Sequence, residues 1–244
     1  MFGAVASVRV ESDPSENLRT VFKAIDRAGR MGAELVLFPE AVLTGLANND
    51  HPEHDLALGQ TVPGPATRRI ARRAAEAGVW VAFGLLEREG NTLYDTTLLL
   101  NPDREIVLKY RRITPGWHGS GADPRVYGHG SQLGFADTPF GKVGFLICGD
   151  LFDDDLLEMA RSLGLDLVLV PFARSFEGPG HAEAFWRTEK LAYAHRAARL
   201  AARVAMVNYL SEDGCFGGGM VVMPDGSISV EIAPGREAVA LFRL

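Results

Sequence analysis

Three of the residues in this chain that could do chemistry sit at the ends of strand-like runs. Cys148 closes the apolar run Val143-Gly144-Phe145-Leu146-Ile147, which opens at Gly141 and is followed by Gly149-Asp150 and then a helical pattern. That order reads as a buried strand delivering a thiol to a sharp strand-to-helix turn. A thiol there is exposed on one side and close to a helix N-terminus, two conditions that favour the nucleophilic thiolate. Glu40 follows Leu35-Val36-Leu37-Phe38-Pro39, at the end of a strand where layered α/β folds build their sites. Tyr110-Arg111-Arg112 ends a third run. A thiol, a carboxylate and a cation are the parts an acyl transfer needs. The thiol attacks a carbonyl or nitrile carbon, the carboxylate moves protons, and the cation, with backbone N–H groups, stabilises the developing negative charge. Each residue also has a plainer reading when taken alone. An unpaired cysteine is commonly a small buried hydrophobe, and a glutamate after a strand commonly faces solvent.

Other reactive residues read as structural. His51, Glu53, His54 and Asp55 do not form a helical H-E-x-x-H pattern, and His51 precedes a proline, so a solvated loop is expected rather than a metal site. Arg68, Arg69, Arg72 and Arg73 cluster on one helical stretch and read as its solvated face. Asp153, Asp154 and Asp155 fall in the first turn of a helix, where acids suit the dipole. Cys215 lies in the glycine-rich stretch Gly214-Cys215-Phe216-Gly217 and reads as an inert loop thiol at the rim of the site. No cofactor or metal is expected.

The elements that must position these groups follow from periodicity. Asp13-Pro14-Ser15-Glu16 starts a helix as a capping box with proline at the first helical position, and Leu18, Val21, Phe22, Ile25 and Ala28 give it one apolar face. Gly32 ends it. Leu35 to Phe38 and Leu167 to Phe172 are all-apolar runs, the mark of strands covered on both faces. Residues 48–60 read as an irregular polar loop. A second helix spans about 66–77, and strands span about 79–86, 92–100 and 105–112. A long loop from Thr114 to about Gln132 carries Trp117, His118, Asp123, Tyr127 and His129, and a loop of that length is expected to pack over a site. Helices are expected over about 152–163 and 183–203, with strands over 204–209, 220–223, 228–232 and 238–242. The order βαβαββ…βαβαβββ predicts an α/β fold, a four-layer αββα sandwich of two mixed sheets. The 244 residues are expected to form one domain, 1–244, since no linker or shift in composition divides them.

Composition narrows the function. The chain is 47% hydrophobic and 23% charged, which suits a soluble protein with a sizeable core, and its net charge of −6 argues against nucleic acid and is neutral on small-molecule substrates. No run of about 18 apolar residues suggests a membrane span. The first residues read directly into a strand without a basic region, so no signal peptide is expected. Two cysteines far apart do not make a disulfide framework, and a cytoplasmic location is expected.

The three strand ends together resemble the carbon–nitrogen hydrolase (nitrilase and amidase) superfamily. The resemblance rests on Gly32 to Glu40 with Leu43-Thr44-Gly45, on Leu108-Lys109-Tyr110-Arg111-Arg112, and on Thr138 to Asp150, with weaker support from Leu167 to Pro171, Asn208 and Pro224-Asp225-Gly226. It implies Glu40 as general base, Cys148 as nucleophile and a homodimer or higher homo-oligomer. The family's third residue is a lysine, and Arg112 stands there. Lys109, three residues earlier, should face the other way, and an arginine keeps its proton. Asp123 is the nearest acid to the family's second glutamate. The family's Arg-Ala-x-Glu segment reads Arg196-Ala197-Ala198-Arg199, and Asp153-Asp154-Asp155 stands where Phe-Pro-Glu is common. The expected reaction is hydrolysis of a linear amide or N-carbamoyl compound, with a nitrile substrate or a catalytically impaired binding protein as alternatives. Trp117, His118, Asp123, Tyr127, Phe172, Phe176 and Trp186 are the candidates to line the pocket, with core packing the alternative for each aromatic.

Overall fold

A computed structural model describes residues 1–175 and 182–244. Phe176 lies outside the described residues. The elements run β1 (Phe2–Ser7), α1 (Pro14–Arg30), β2 (Leu35–Leu37), α2 (Pro52–Leu58), α3 (Pro65–Ala77), β3 (Trp80–Glu89), β4 (Thr92–Leu100), β5 (Ile106–Arg111), β6 (Phe135–Thr138) and β7 (Gly141–Phe145). A 3-10 turn (Cys148–Phe152) leads into α4 (Asp154–Ser162), β8 (Leu167–Pro171), α5 (Ala182–Ala198), β9 (Arg203–Val207), β10 (Gly219–Val222), β11 (Ile228–Ile232) and β12 (Ala238–Arg243).

Two six-stranded mixed sheets form, in the orders β12-β1-β2-β3-β4-β5 and β11-β10-β9-β8-β7-β6. In the first, β1, β2 and β3 are parallel and the outer strands antiparallel. In the second, β7, β8 and β9 are parallel and the rest antiparallel. Alternation explains the all-apolar runs. Leu35 and Leu37 point between the sheets, where they join Phe145, Leu167, Leu169 and Val207. Val36 and Phe38 point the other way, into a core shared with α1 and α3. Val168 and Val170 likewise face α4 and α5. A strand with helices on one face and a second sheet on the other has no polar face to show. The architecture is the expected αββα sandwich.

Several boundaries differ from the sequence reading. Residues 48–60 hold the short helix α2, whose apolar content is too small to show periodicity. Its Asp55 is buried and accepts hydrogen bonds from the main-chain N–H groups of Asn49 and Asp50 and from the Tyr127 hydroxyl at 2.5 Å. Asp13 caps α1 through Ser15 N–H, but Glu16 pairs with Arg19 and does not close a capping box. The helix after Cys148 starts two residues late, at Asp154, because the 3-10 turn comes first and Asp153 caps α4 by accepting from Leu156 N–H. α5 stops at Ala198; Ala201 has φ 52°, which ends helical winding before β9. The two departures at its end meet each other. Asp154, within the aspartate triplet, accepts from Arg196 at 2.6 Å and also from Arg199.

Candidate active site

Glu40 and Cys148 each leave a strand where the backbone turns sharply, and Arg112 follows a third strand. Glu40 follows β2 and is fully buried. The chain reverses at once, with Ala41 at φ 44° and the N–H groups of Thr44 and Gly45 donating to Ala41 O. The reversal presses against β3. A Cβ at Gly84 would lie 2.8 Å from Glu40 Cα, so this approach requires glycine. Cys148 has φ 46°, in the left-handed region that disfavours side chains. It opens the 3-10 turn and holds the thiol outward from the sheet end, as a nucleophile turn does. Gly149 leaves space for the cation: a Cβ there would lie 2.5 Å from Arg112 Nη2.

Arg112 follows β5 and is buried. Its Nη1 donates to Glu40 Oε1 at 2.9 Å, its Nη2 to Pro115 O at 3.2 Å and its Nε to Thr114 Oγ1 at 3.3 Å. Lys109 does face the opposite way. With Arg111 and Thr96 it surrounds Glu87, at 2.8 to 2.9 Å. Burial works against that charge, but these donors outweigh it and hold Glu87 below the ordinary glutamate range.

The sequence reading gave Asp150 no role, yet it ties the nucleophile turn to the cation. Fully buried, it accepts from Ile147 N–H at 3.0 Å, Tyr110 Oη–H at 2.7 Å, Thr114 N–H at 2.9 Å and Thr114 Oγ1–H at 2.8 Å. Asp95 is a second unassigned acid, buried 3.7 Å from Arg112 Nη1.

The electrostatics leave Glu40 holding a proton near neutrality. Burial pushes Glu40 up to about 8, and the neighbouring Cys148 adds to this; Arg112 pulls against it. Glu40 Oε2 receives no N–H or O–H donor among the described residues. Burial opposes the charge on Arg112 as well, but Glu40, Cys148, Asp95 and Asp150 outweigh it and keep the guanidinium charged.

A cavity of about 320 Å³ opens at Cys148, bordered by Arg112, Gly116, Phe152, Arg174, Glu189 and Tyr193. Asn208 fixes one wall: its side chain exchanges two hydrogen bonds with the main chain of Arg174, at 3.0 and 2.9 Å. A larger space of about 470 Å³ lies beside it, sharing Leu46 and Ala173, and there Cys215 sits near Tyr209. Burial pushes the Cys215 thiol up, away from the reactive form.

The expected pocket residues lie elsewhere. Trp117 and Tyr127 are buried in a small cluster with Leu56, Leu86 and Leu93. His118 Nε2 lies 3.1 Å from His129 Nε2. Asp123 is held by Arg125, which pulls its carboxyl down to about 2. Phe172 stacks on Trp186 at 6.1 Å inside the helix-covered core. Among the described residues, none of these borders the Cys148 cavity. Phe172 reaches it at one remove, behind Tyr193 at 5.5 Å. The wall residues missed include Phe152, Arg174, Glu189 and Tyr193; the i, i+4 spacing of Glu189 and Tyr193 on one helix face was a readable signal. Of the suspected metal ligands, His51 and Glu53 are exposed and His54 lies 2.7 Å from Asp55.

Comparison with known proteins identifies the family. The carbon–nitrogen hydrolase family model matches residues 4–243. An omega-amidase of Xenopus tropicalis is 29% identical over 185 residues, 72% of this chain and 65% of the relative. An aliphatic nitrilase of Sinorhizobium fredii is 32% identical over 186 residues, 69% of this chain and 59% of the relative. Nitrilase 3 of Arabidopsis thaliana is 34% identical over 161 residues, 59% of this chain and 45% of the relative. The matches therefore span less than two thirds of these relatives' own lengths. An amidase from Nesterenkonia sp. shares the fold with a TM-score of 0.82 at 22% identity, covering 100% of this chain and 90% of that one.

Proposed function

The chain belongs to the carbon–nitrogen hydrolase family, and from that premise we propose that it hydrolyses a small linear amide or N-carbamoyl compound through a thioester on Cys148. One observation carries the reading: Cys148, on a left-handed turn, and the buried Arg112 border one cavity, and Arg112 is ion-paired to the buried Glu40 that neighbours Cys148. In this scheme the Cys148 sulfur attacks the carbonyl carbon while its proton passes to Glu40. Glu40 then protonates the leaving nitrogen, and the C–N bond breaks to release ammonia or an amine. Water attacks the thioester, gives a proton to Glu40, and the C–S bond breaks. The acid leaves and the thiol regains the proton. Arg112 takes no part in proton transfer, since a guanidinium does not give up its proton in a protein. Its charge keeps an ionised Glu40 tolerable in a buried site and opposes the negative charge of the attacked oxygen.

The cavity supports a small substrate, being at the low end of the roughly 300–1,000 Å³ usual for small-molecule sites. Arg174 and Glu189 at its wall favour a polar amide over a purely aliphatic one. The same membership carries the expectation of a homodimer or higher homo-oligomer, and the two distant cysteines that of a cytoplasmic location. Phe152, Met159 and Leu191, exposed on the 3-10 turn and on the two helices that pack against it, are the apolar surface for such a contact. Light scattering of the purified chain tests that.

The first probes are acrylamide and fluoroacetamide, which add to the active-site cysteine in variants of the Nesterenkonia amidase, together with butyramide, carbamoyl amino acids and nitriles. Intact mass reads the adduct and its turnover. A lasting thioether with acrylamide or fluoroacetamide marks Cys148 as reactive, and an acyl adduct from butyramide or a carbamoyl amino acid that clears with release of the acid supports the hydrolase. No adduct in the unmodified protein, with turnover appearing in Arg112→Lys, favours a binding protein on a hydrolase scaffold. Turnover confined to nitriles favours a nitrilase.

A further inference from the structure

The site holds a buried acid that the scheme above leaves idle. Asp95 lies on β4 opposite Leu86 of β3, and its main-chain carbonyl accepts from Arg112 N–H at 2.8 Å. Its Oδ2 is 3.7 Å from Arg112 Nη1, the nitrogen that donates to Glu40 Oε1 at 2.9 Å. Neither Asp95 oxygen receives an N–H or O–H donor among the described residues. Asp95 and Glu40 are within hydrogen-bonding reach of each other.

Two ionised carboxylates around one guanidinium nitrogen in a sealed site repel each other, and one of them holds a proton. Geometry says which. Glu40 has the short bond to Arg112, whereas 3.7 Å is too long for a hydrogen bond. The other charged or titratable groups that face the pair do not supply Asp95 with a donor. Asp150 is occupied by four donors of its own, the Tyr110 hydroxyl is spent on Asp150, and Cys148 faces Glu40. His129 and Tyr193 make no hydrogen bond to Asp95. Arg112 cannot act as a proton reservoir.

We propose that Asp95 is a positioning acid for the Glu40 base: it keeps its proton at working pH and donates it to Glu40 as a hydrogen bond. Burial, then the charge of Glu40, pushes Asp95 well above the ordinary aspartate range, in agreement with this. The proton is not consumed. The thiol proton goes to Glu40 and onward to the leaving nitrogen, while the Asp95 proton holds the Glu40 carboxylate at the thiol and makes it easier to ionise.

The proposal rests on the Glu40–Cys148 reading of the site, so its test uses no substrate. The rate of Cys148 alkylation by iodoacetamide is measured against pH, with peptide mass mapping to separate Cys148 from Cys215. Asp95→Leu removes the donor, and Glu40 then holds its own proton more tightly. The acid limb of the profile is expected to move up by about one pH unit, about tenfold in rate at a fixed pH below it. Asp95→Asn supplies an amide N–H in place of the acid proton and is expected to return the limb to its original position. An Asp95→Asn profile displaced as far as that of Asp95→Leu overturns the proposal, as does an Asp95→Leu profile on the original limb. Should Asp95→Leu not accumulate as folded protein, infrared spectroscopy decides. A protonated-carboxyl band that persists above about pH 9, where Glu40 has ionised, and disappears in Asp95→Asn supports the proposal; its absence overturns it. A chain that turns over no amide but passes these tests would sink the hydrolase reading and leave the acid pair standing.

Discussion

At Glu40 the two carboxylate oxygens have different work. Oε1 accepts from Arg112, and Oε2 receives no such donor, which leaves the carboxyl bound to the cation and free to take the thiol proton. Glu40→Gln keeps the shape and removes the base. Steady-state kinetics should show kcat down by about 10²–10⁴-fold, the usual worth of a positioned proton carrier; a loss below about tenfold would remove Glu40 from that role. Arg112 is less replaceable than one charge suggests, because three nitrogens each serve a different acceptor. Arg112→Met strands Glu40 as a buried, unpaired acid and is expected to cost about 3–5 kcal/mol in urea unfolding. Arg112→Lys keeps the charge and gives up the planar fork, costing less. The sequence made these residues legible because each ends a strand-like run, and a chemical group at the end of a strand stands out. Asp95 was not legible. It sits inside the strand pattern Thr92 to Leu100, where its neighbours suggest only pairing, and its importance comes from a cation contributed by another strand.

The elements act by closing approaches that side chains would block. β3 reaches the Glu40 turn only because Gly84 has no Cβ. Gly84→Ala should therefore push β3 away from residues 40–41, with a stability loss of about 1–3 kcal/mol and a fall in kcat larger than any rise in KM. Unchanged kinetics would mean the turn tolerates the shift. Asp150 works by joining the 3-10 turn, β5 and the loop that follows it. Asp150→Ala leaves buried N–H and hydroxyl donors without acceptors, at about 1–3 kcal/mol each, and urea titration should find it among the most destabilised single variants. These joints were the part of the fold hardest to read in sequence. The periodicity of α1, or of the runs 35–38 and 167–172, records a large buried face. The helix α2 has seven residues and buries only Asp55 and Leu56, so nothing periodic marks it. The loop aromatics Trp117 and Tyr127 looked like pocket residues because a long loop with aromatics usually covers something. Here they fill a small core of their own, and the Tyr127 hydroxyl anchors it to Asp55.

The whole molecule places its reactive groups where two sheets and their helices exclude water, and this links stability to pH in two opposite ways. Glu87 is held below its ordinary range by its donors, against the effect of burial. Such a group contributes stability above its unfolded value and loses it as pH falls through the folded one. Asp55, opposed by burial but held down by Tyr127 and His54, behaves the same way. Glu40 runs the other way. Raised by burial to about 8, it binds its proton more tightly folded than unfolded. Its contribution is complete below the ordinary glutamate value near 4.5 and is lost as pH rises through about 8. The fold should thus be most stable on the weakly acid side of neutrality, while the ionised Glu40 that the proposed scheme needs accumulates on the alkaline side. The pH–rate profile of kcat/KM should rise through an apparent value nearer 8 than 4.5, one that belongs to the coupled Glu40–Cys148–Asp95 group. The urea midpoint should fall across the same interval. Glu40→Gln separates the two effects, because glutamine mimics the protonated acid at every pH. Its urea midpoint should decline less steeply between about pH 5 and pH 8 than that of the unmodified chain, the remaining slope belonging to Asp95. A decline of equal steepness in both would assign the alkaline loss to some other group and uncouple the stability of this fold from its base.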